Sequence, residues 1–175
     1  MKATACAVLV GIVFFSANAR GEPDGFSAVK CGSDIPRALA GKKMSNEPVA
    51  ALESRHKDLG LQDLGGTEIT DELFLASWKI CGDEYELLER KETVRDVLKA
   101  PAHSRKAPLF IGACKRLGNA VPGTVVAVLD DKPGADPLAA HAAWTIDEQK
   151  NQFVALAPDG LACPRDGIVT SDGGP

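Results

Sequence analysis

The 175-residue chain carries 20 Lys and Arg against 24 Asp and Glu, a formal net charge of −4, and only 5% of its residues are aromatic. This mildly acidic balance excludes a dedicated nucleic-acid or anionic-membrane surface, which needs a basic excess or a strongly basic stripe. The length fits one domain with a sizeable core, which aliphatic side chains must mostly fill.

The chain opens with the pattern of an export signal. Lys2 gives a positive start, Ala5 to Phe15 form an apolar run, and Ala17-Asn18-Ala19 is the small-x-small pattern that precedes cleavage. A run of about eleven apolar residues is short of the roughly 20 that span a bilayer. We therefore expect residues 1–19 to be a removed signal peptide. The remainder, with a net charge of −5 and no membrane span, is expected to be periplasmic or secreted.

The next residues predict little regular structure at first. Residues 20–30 contain two glycines and a proline and predict a flexible lead-in. Ser33 or Asp34 can cap a short helix that contains Ile35, Ala38 and Leu39. Val49 to Glu53 is interpreted as a strand.

The candidate functional site is the stretch of residues 55–72, RHKDLGLQDLGGTEITDE, which is expected to be a loop. Glycines allow sharp turns, and carboxylates on such a loop can bind a hard cation or a partner, or act beside a histidine in acid/base chemistry. The spacing matches neither an EF-hand nor a His-Glu-x-x-His helix. The candidate ligand- or partner-binding residues are His56, Asp58, Asp63, Glu68 and Asp71.

The core is predicted around Leu73 to Leu98, which contains one of the two tryptophans and the only tyrosine. Apolar residues alternate at Phe74, Ala76, Trp78 and Ile80, which is typical of a half-buried strand. Cys81-Gly82-Asp83-Glu84 supplies a turn, so two or three antiparallel strands are expected. A helix is the alternative, because Glu, Leu, Arg and Lys dominate residues 86–92.

Further strands are predicted towards the C-terminus. Pro101 and Pro108 bracket a polar connector that is expected to be exposed. Two pairs of apolar runs then follow, each joined by a turn: 109–117 with 121–129, and 139–146 with 153–156. Short strands punctuated by Gly and Pro predict a mostly β fold, a small antiparallel barrel or sandwich of about seven strands with one short N-terminal helix. An α+β fold is the alternative. We expect a single domain over residues 31–165 and a frayed tail over 166–175.

The cysteines that follow the signal are Cys31, Cys81, Cys114 and Cys163. An even number in an exported chain favours two disulfides. No pair is spaced Cys-x-x-Cys, which argues against a redox motif and a zinc knuckle. Of the three possible connectivities, we expect Cys81 with Cys114 and Cys31 with Cys163, since this would staple the central strands and tie both ends to the body.

Other site chemistries have weak support, and neither a cofactor nor a metal is expected. The three histidines, His56, His103 and His141, share no ligand-like spacing. The acids between Asp83 and Glu89 are predicted to form a solvated strand face rather than a glycosidase-like pair. The basic segment 103–106 has no interleaved aromatics, so it is predicted to be a solvated loop. No nucleophile elbow is present.

Together these features favour an exported binding module that contains disulfides and acts on an envelope component or another secreted protein, in the manner of a small inhibitor. The alternatives are a hydrolase that uses His56 with nearby carboxylates and a purely structural envelope protein. Geometry separates them, because an enzyme needs His56 within hydrogen-bond reach of a carboxylate and at the mouth of a concave pocket.

Overall fold

The computed structural model describes residues 24–169. The expected signal peptide and residues 170–175 of the expected tail lie outside these residues. The described helices are α1 Ile35–Leu39 and α2 Val49–Arg55, with 3-10 turns at Gly25–Ala28, Lys57–Leu59 and Arg165–Gly167. The described strands are β1 Gln62–Thr70, β2 Leu73–Ile80, β3 Asp83–Arg90, β4 Thr93–Lys99, β5 Leu109–Gly112, β6 Lys115–Arg116, β7 Asn119–Ala120, β8 Val125–Leu129, β9 Leu138–Asp147, β10 Gln152–Ala155, β11 Leu161–Cys163 and β12 Ile168–Val169.

The strands form two antiparallel sheets, which confirms the prediction of a mostly β fold. The first sheet is a meander in the order β1-β2-β3-β4. The second has the order β12-β5-β8-β9-β11-β6-β7, with β10 paired to β9. Neither path closes on itself, so the architecture is an open one of stacked sheets. The described strands are more numerous than the expected seven. The main reason is that short strands such as β6, β7 and β12 have no clear alternation of apolar and polar residues by which to predict them.

The two sheets pack face to face through an apolar layer. Leu75 of β2 and Leu88 of β3 lie in one buried cluster with Val126 and Val128 of β8. The opposite face of β8 belongs to a second cluster on the outer side of the second sheet. Strand β8 is therefore buried on both faces, as its continuous apolar sequence predicts.

Strand β2 was expected to be half-buried, and this part of the prediction is wrong. Ala76, Trp78 and Ile80 face the N-terminal helices, while Leu73 and Leu75 face the second sheet. Phe74, on the predicted core face, is instead 43% exposed, because it lies at the end of the strand beyond the helices. The turn at residues 81–84 and the following strand β3 are confirmed, which rules out the helical alternative for residues 86–92.

A helical cap formed by the Gly25–Ala28 turn, α1 and α2 covers the outer face of the first sheet. Its buried side chains include Phe26, whose ring meets that of Trp78 edge-on at 5.0 Å between centroids. The expected flexible lead-in is therefore packed from Asp24 onward. Helix α1 forms as predicted, with the Asp34 side chain accepting a hydrogen bond from the Arg37 N–H.

Residues 49–53 form the start of helix α2, so the predicted strand is wrong here. The segment is rich in good helix formers, Ala50, Ala51, Leu52 and Glu53, and it follows Pro48, whose fixed φ suits the start of a helix. Only Leu52 of this helix is buried, and it packs into the cluster beneath the helical cap.

The two disulfides join Cys31 to Cys81 and Cys114 to Cys163, so the expected pairing is wrong. Each bridge joins two of these cysteines that are neighbours in chain order, and the two cysteines are 50 residues apart in the first bridge and 49 in the second. The first ties the helical cap to the β2–β3 turn, and the second lies within the outer cluster of the second sheet. In the chain-entropy model a loop of this length stabilises the fold by about 4 kcal/mol. Two disulfides indicate an oxidising compartment.

The predicted strand pairings in the second half are largely confirmed. Strand β5 pairs with β8 and β9 pairs with β10, while β6 and β7 form a small hairpin at the Gly118 turn. The tail expected to fray from residue 166 is ordered as far as Val169, because β12 pairs with β5 at the sheet edge.

Candidate functional site

The predicted site over residues 55–72 is not a loop. Most of it is strand β1, preceded by the end of α2 and the Lys57–Leu59 turn. Asp58, Glu68 and Asp71 are exposed on three different elements: the 3-10 turn, the strand and the β1–β2 turn. The structure therefore does not bring the five candidate residues together. Their role in partner binding stays a prediction.

His56 instead belongs to a buried ion-pair cluster with a residue that the sequence did not single out. Its Nε2 atom lies 3.0 and 3.1 Å from the two carboxylate oxygens of Asp24. The Arg55 Nη1 donates to Asp24 Oδ2 at 2.8 Å. Burial acts to raise the pKa of Asp24, but the hydrogen bonds from His56 and Arg55 outweigh it and hold the pKa below its usual value.

This cluster anchors the start of the described chain onto helix α2. The Asp24 side chain is 1% exposed, and the whole of His56 is 8% exposed. His56 thus meets half of the condition for a hydrolase, a carboxylate within reach, but it does not line the groove described below. Asp24 lies in the segment that was expected to be a flexible lead-in, 32 residues before His56, so local patterns gave no signal for this contact.

Asp63 has a structural role on the exposed side of β1, which is an edge strand of the first sheet. The Asp63 N–H donates to Glu53 Oε1 at 2.9 Å, and the Gly65 N–H donates to Asp63 Oδ1 at 2.9 Å. The strand also has irregular register after Asp63 and after Glu68. Carboxylate caps and bulges of this kind protect an edge strand from pairing with another chain.

A concave feature among the described residues lies elsewhere, where the two sheets meet. We call it the junction groove; it is lined by residues 82–84, residues 100–105, Pro108, Asp131 and strand β12. Its volume is about 580 Å³. Sites for small molecules occupy roughly 300–1,000 Å³, so the groove has the size of a ligand site.

The connector between β4 and β5 forms one wall of the groove. Its start is held by the Ala100 N–H, which donates to the Glu84 backbone oxygen at 2.8 Å. Beyond this wall, the Asp131 N–H donates to the Lys106 oxygen at 3.0 Å. Paired hydrogen bonds between Ser104 and Ala107 form a turn between these two points. The connector is thereby fixed across both sheets.

His103 lies on this connector and pairs with Glu84 at the start of β3. Its Nε2 is 3.1 Å from Glu84 Oε2, and its Nδ1 is 3.0 Å from the Pro101 carbonyl oxygen. The segment 103–106 was predicted to be a solvated loop; this holds for residues 104–106 and is wrong for His103, whose side chain is 12% exposed.

Glu86 is buried near this pair, on the same face of β3 as Glu84. It is 1% exposed, and Ser77 Oγ donates to its Oε2 at 2.6 Å. Burial raises the pKa of Glu86 to about 7; the Glu84 charge adds to the effect, and Ser77 and His103 oppose it. The prediction of a solvated acidic face is therefore wrong at Glu86. The signal that was available is alternation, which places Glu86 on the same face as the apolar Leu88.

The groove thus combines a histidine–carboxylate pair with apolar lining from prolines and β12, and the buried Glu86 with its shifted pKa lies near that pair without lining the groove. Among residues 24–169 no group of three or more His, Cys, Asp or Glu side chains is placed to hold a metal ion. In that same range no helix has both the length and the apolar character needed to cross a membrane.

Comparisons with known proteins assign no relatives to this arrangement. The chain matches no protein-family model, and neither the curated proteins nor the solved structures contain a significant match to it.

Proposed function

We propose that this protein is an exported binding module that takes a small ligand in the junction groove. The observation that carries the proposal is the groove itself, whose volume of about 580 Å³ is combined with the paired His103 and Glu84 at its wall. The two disulfides and the N-terminal signal pattern support a location outside the cytoplasm. A purely structural protein would have no need of such a groove.

Binding is favoured over hydrolysis by the way in which His103 is held. A general base needs a ring nitrogen that can reach a proton of the substrate. Both nitrogens of His103 instead face protein acceptors, Glu84 and the Pro101 carbonyl. Glu86, the acid with the strongly shifted pKa beside it, is buried and does not line the groove. The contacts of the groove residues therefore fix the shape of the groove and the positions of its charges, which suits binding.

The test is a ligand screen by ¹H–¹⁵N NMR on the oxidised protein. The panel contains amines, carboxylic acids, amino acids, sugars and short peptides, together with a low-molecular-weight extract of native culture fluid. We expect at least one component to shift the amide signals of groove residues such as Glu84, Ala102 and Val169.

Two tryptophan variants supply the control. Ala102→Trp places a large side chain in the groove at an exposed position, and Ala50→Trp places the same side chain on the exposed face of α2. A groove ligand binds the parent and Ala50→Trp but not Ala102→Trp. The proposal fails when neither panel nor extract moves the groove amides, or when Ala102→Trp binds as the parent does.

A further inference from the structure

We propose that residues 170–175 of this same chain, the part that was expected to fray, lie in the junction groove, so that a ligand must displace them in order to bind. We call these residues the tail segment; their sequence is Thr-Ser-Asp-Gly-Gly-Pro. This inference rests on the proposed function, because it names a regulator of that site. It is carried by the direction in which strand β12 leads the chain.

Strand β12 ends at the groove and points along its wall. It pairs antiparallel with β5, with Val169 opposite Leu109, and both residues of β12 line the groove. A chain that continues in this direction passes Pro108 and then runs beside the basic segment 103–106, because the antiparallel register carries it backwards along the connector. The tail segment therefore starts at the groove and heads along the connector that forms its wall.

The position of β12 is fixed by the residues just before it. Gly167 lies against the ring of Phe110, and a Cβ atom at Gly167 would collide with a ring carbon. Glycine thus lets the chain approach β5 closely. Arg165 donates to the Ala135 carbonyl oxygen at 2.9 Å and to Asp131 Oδ1 at 2.7 Å. The point at which the tail segment leaves the described fold is therefore held in place.

The charge of the groove complements that of the tail segment. The three carboxylates of the lining are each paired with a basic residue: Asp83 with Lys99, Glu84 with His103 and Asp131 with Arg165. Arg105 adds a further positive charge to the lining, and Asp172 is the one charged side chain in the tail segment. A guanidinium carries five N–H donors, so Arg105 can bind the Asp172 carboxylate in addition to the interaction that it already has.

The length and the small side chains of the tail segment also fit the groove. Asp172 is three residues beyond Val169, and three extended residues span about 10 Å, which is enough to reach across a volume of about 580 Å³. Gly173 and Gly174 have no side chain that would keep the backbone from the wall. Because the tail segment is joined covalently to the groove, its effective concentration there is on the order of millimolar, and weak contacts suffice to seat it.

The test follows the tail segment in the oxidised full chain by NMR. We expect nuclear Overhauser effects (NOEs) between the amide protons of Ser171 or Asp172 and the side chains of Ala102 or Arg105. The heteronuclear ¹H–¹⁵N NOE values of Ser171 and Asp172 should be close to those of the strands.

Two pairs of variants locate the contact. Asp172→Lys should lower the heteronuclear NOE values of the tail segment to those of a mobile chain, whereas Asp159→Lys, the same change at an exposed residue outside the groove, should not. Ala102→Trp fills the groove and should release the tail segment, whereas Ala50→Trp on α2 should leave it seated.

The outcomes separate this inference from the proposed function. A tail segment without NOEs to the groove that relaxes as a mobile chain in the parent would refute the inference, and the ligand screen would still decide the proposed function. A tail segment that stays ordered in both Asp172→Lys and Ala102→Trp would refute the groove as its place.

The regulatory part of the inference is tested with the small-molecule panel of the ligand screen. Components that bind the parent should bind Asp172→Lys at least about threefold more tightly, because the groove is no longer occupied. Equal affinities would refute the regulatory role. If the panel moves the groove amides of neither protein while the NOEs are present, the proposed function is refuted and the seating of the tail segment stands.

Discussion

At the scale of single residues, Glu86 links the stability of the protein to pH. Its pKa is about 7 in the fold against an ordinary value of 4.5, because the carboxyl group is buried. The folded protein therefore holds this proton more tightly than the unfolded chain does. The stability that results is complete below pH 4.5 and is lost as the pH rises through about 7, a difference of about 3 kcal/mol.

We expect Glu86→Gln to remove most of this dependence, since glutamine is neutral at every pH and can still accept from Ser77. The measurement is urea unfolding of parent and variant at pH 5 and pH 8. Glu89 has its pKa raised to about 7 by burial, with a contribution from Glu92, but it acts equally in both proteins. Equal pH slopes in parent and variant would show that Glu86 is not the titrating group.

The cluster of Asp24, Arg55 and His56 is expected to affect the stability of the fold in the opposite direction as the pH changes. The lowered pKa of Asp24 means that its contribution is present above pH 3.8 and is lost as the pH falls through the lower folded value. Near neutral pH, His56→Ala should destabilise the fold by about 2 kcal/mol, because it removes hydrogen bonds to a buried carboxylate.

The measurement for His56→Ala is the free energy of unfolding together with hydrogen exchange of residues 24–30. Asp58→Ala is the matched control, since this neighbouring side chain is exposed and should change stability by less than about 0.5 kcal/mol. A variant that unfolds like the parent and keeps its amide protection would refute the anchoring role.

The residues of the groove could be recognised from sequence only in part. His103 and Glu84 are 19 positions apart, and what joins them is the register of β3 with β4 and the hydrogen bond from Ala100 to Glu84. Neither the strand register nor this hydrogen bond can be predicted from the local sequence pattern. The two prolines that bracket the connector indicated correctly that it is no interior strand. A histidine that is mostly covered by tertiary contacts, such as His103, looks the same in sequence as an exposed one.

At the scale of elements, alternating apolar residues and turn residues were sufficient to predict the strands that follow one another as hairpins. Strands β2 and β3, joined at Cys81-Gly82, and β9 and β10, joined beyond Asp147, were predicted for this reason. Strand β1 was missed because Gly65 and Gly66 interrupt its pattern and both of its apolar residues are only half-buried. Helix α2 was missed because seven residues with one buried leucine give no helical period.

The two disulfides should differ in their resistance to reduction, because their surroundings differ. Cys31 is exposed and Cys81 is half-buried, whereas Cys114 and Cys163 are 2% and 0% exposed. Access to a thiolate governs the exchange reaction. Under native conditions a mild thiol reductant should open Cys31–Cys81 first.

Stepwise reduction, alkylation and peptide mass spectrometry measure this order. A matched experiment in denaturant, where both bridges are accessible, should abolish the difference in rate. Reduction of Cys114–Cys163 before Cys31–Cys81 in the native protein would contradict the burial argument.

At the scale of the whole molecule, the described chain consists of two consecutive parts, and each part contains one of the two disulfides. The first part holds the helical cap and the first sheet, and the second part holds the second sheet. The expected disulfide connectivity was wrong because the cysteines pair within each part of the chain. The expectation had assumed that disulfides tie both chain ends to a single body. The parts meet in the shared apolar layer and along the connector that forms the groove wall.

That shared layer predicts that the two sheets unfold together. Leu75 of the first sheet is fully buried in the cluster that contains Val126 and Val128 of the second. Leu75→Ala should cost about 3 kcal/mol, from lost burial and the cavity left behind. Because the layer belongs to both sheets, the amide protection of β8 should fall with that of β2.

Leu117→Ala, at a side chain 82% exposed, is the control and should change neither the stability nor the amide protection. Hydrogen exchange measures both strands in one experiment. Protection of β8 that persists while β2 exchanges freely would mean that the second sheet is stable alone, and that the groove between them forms only when both parts are folded.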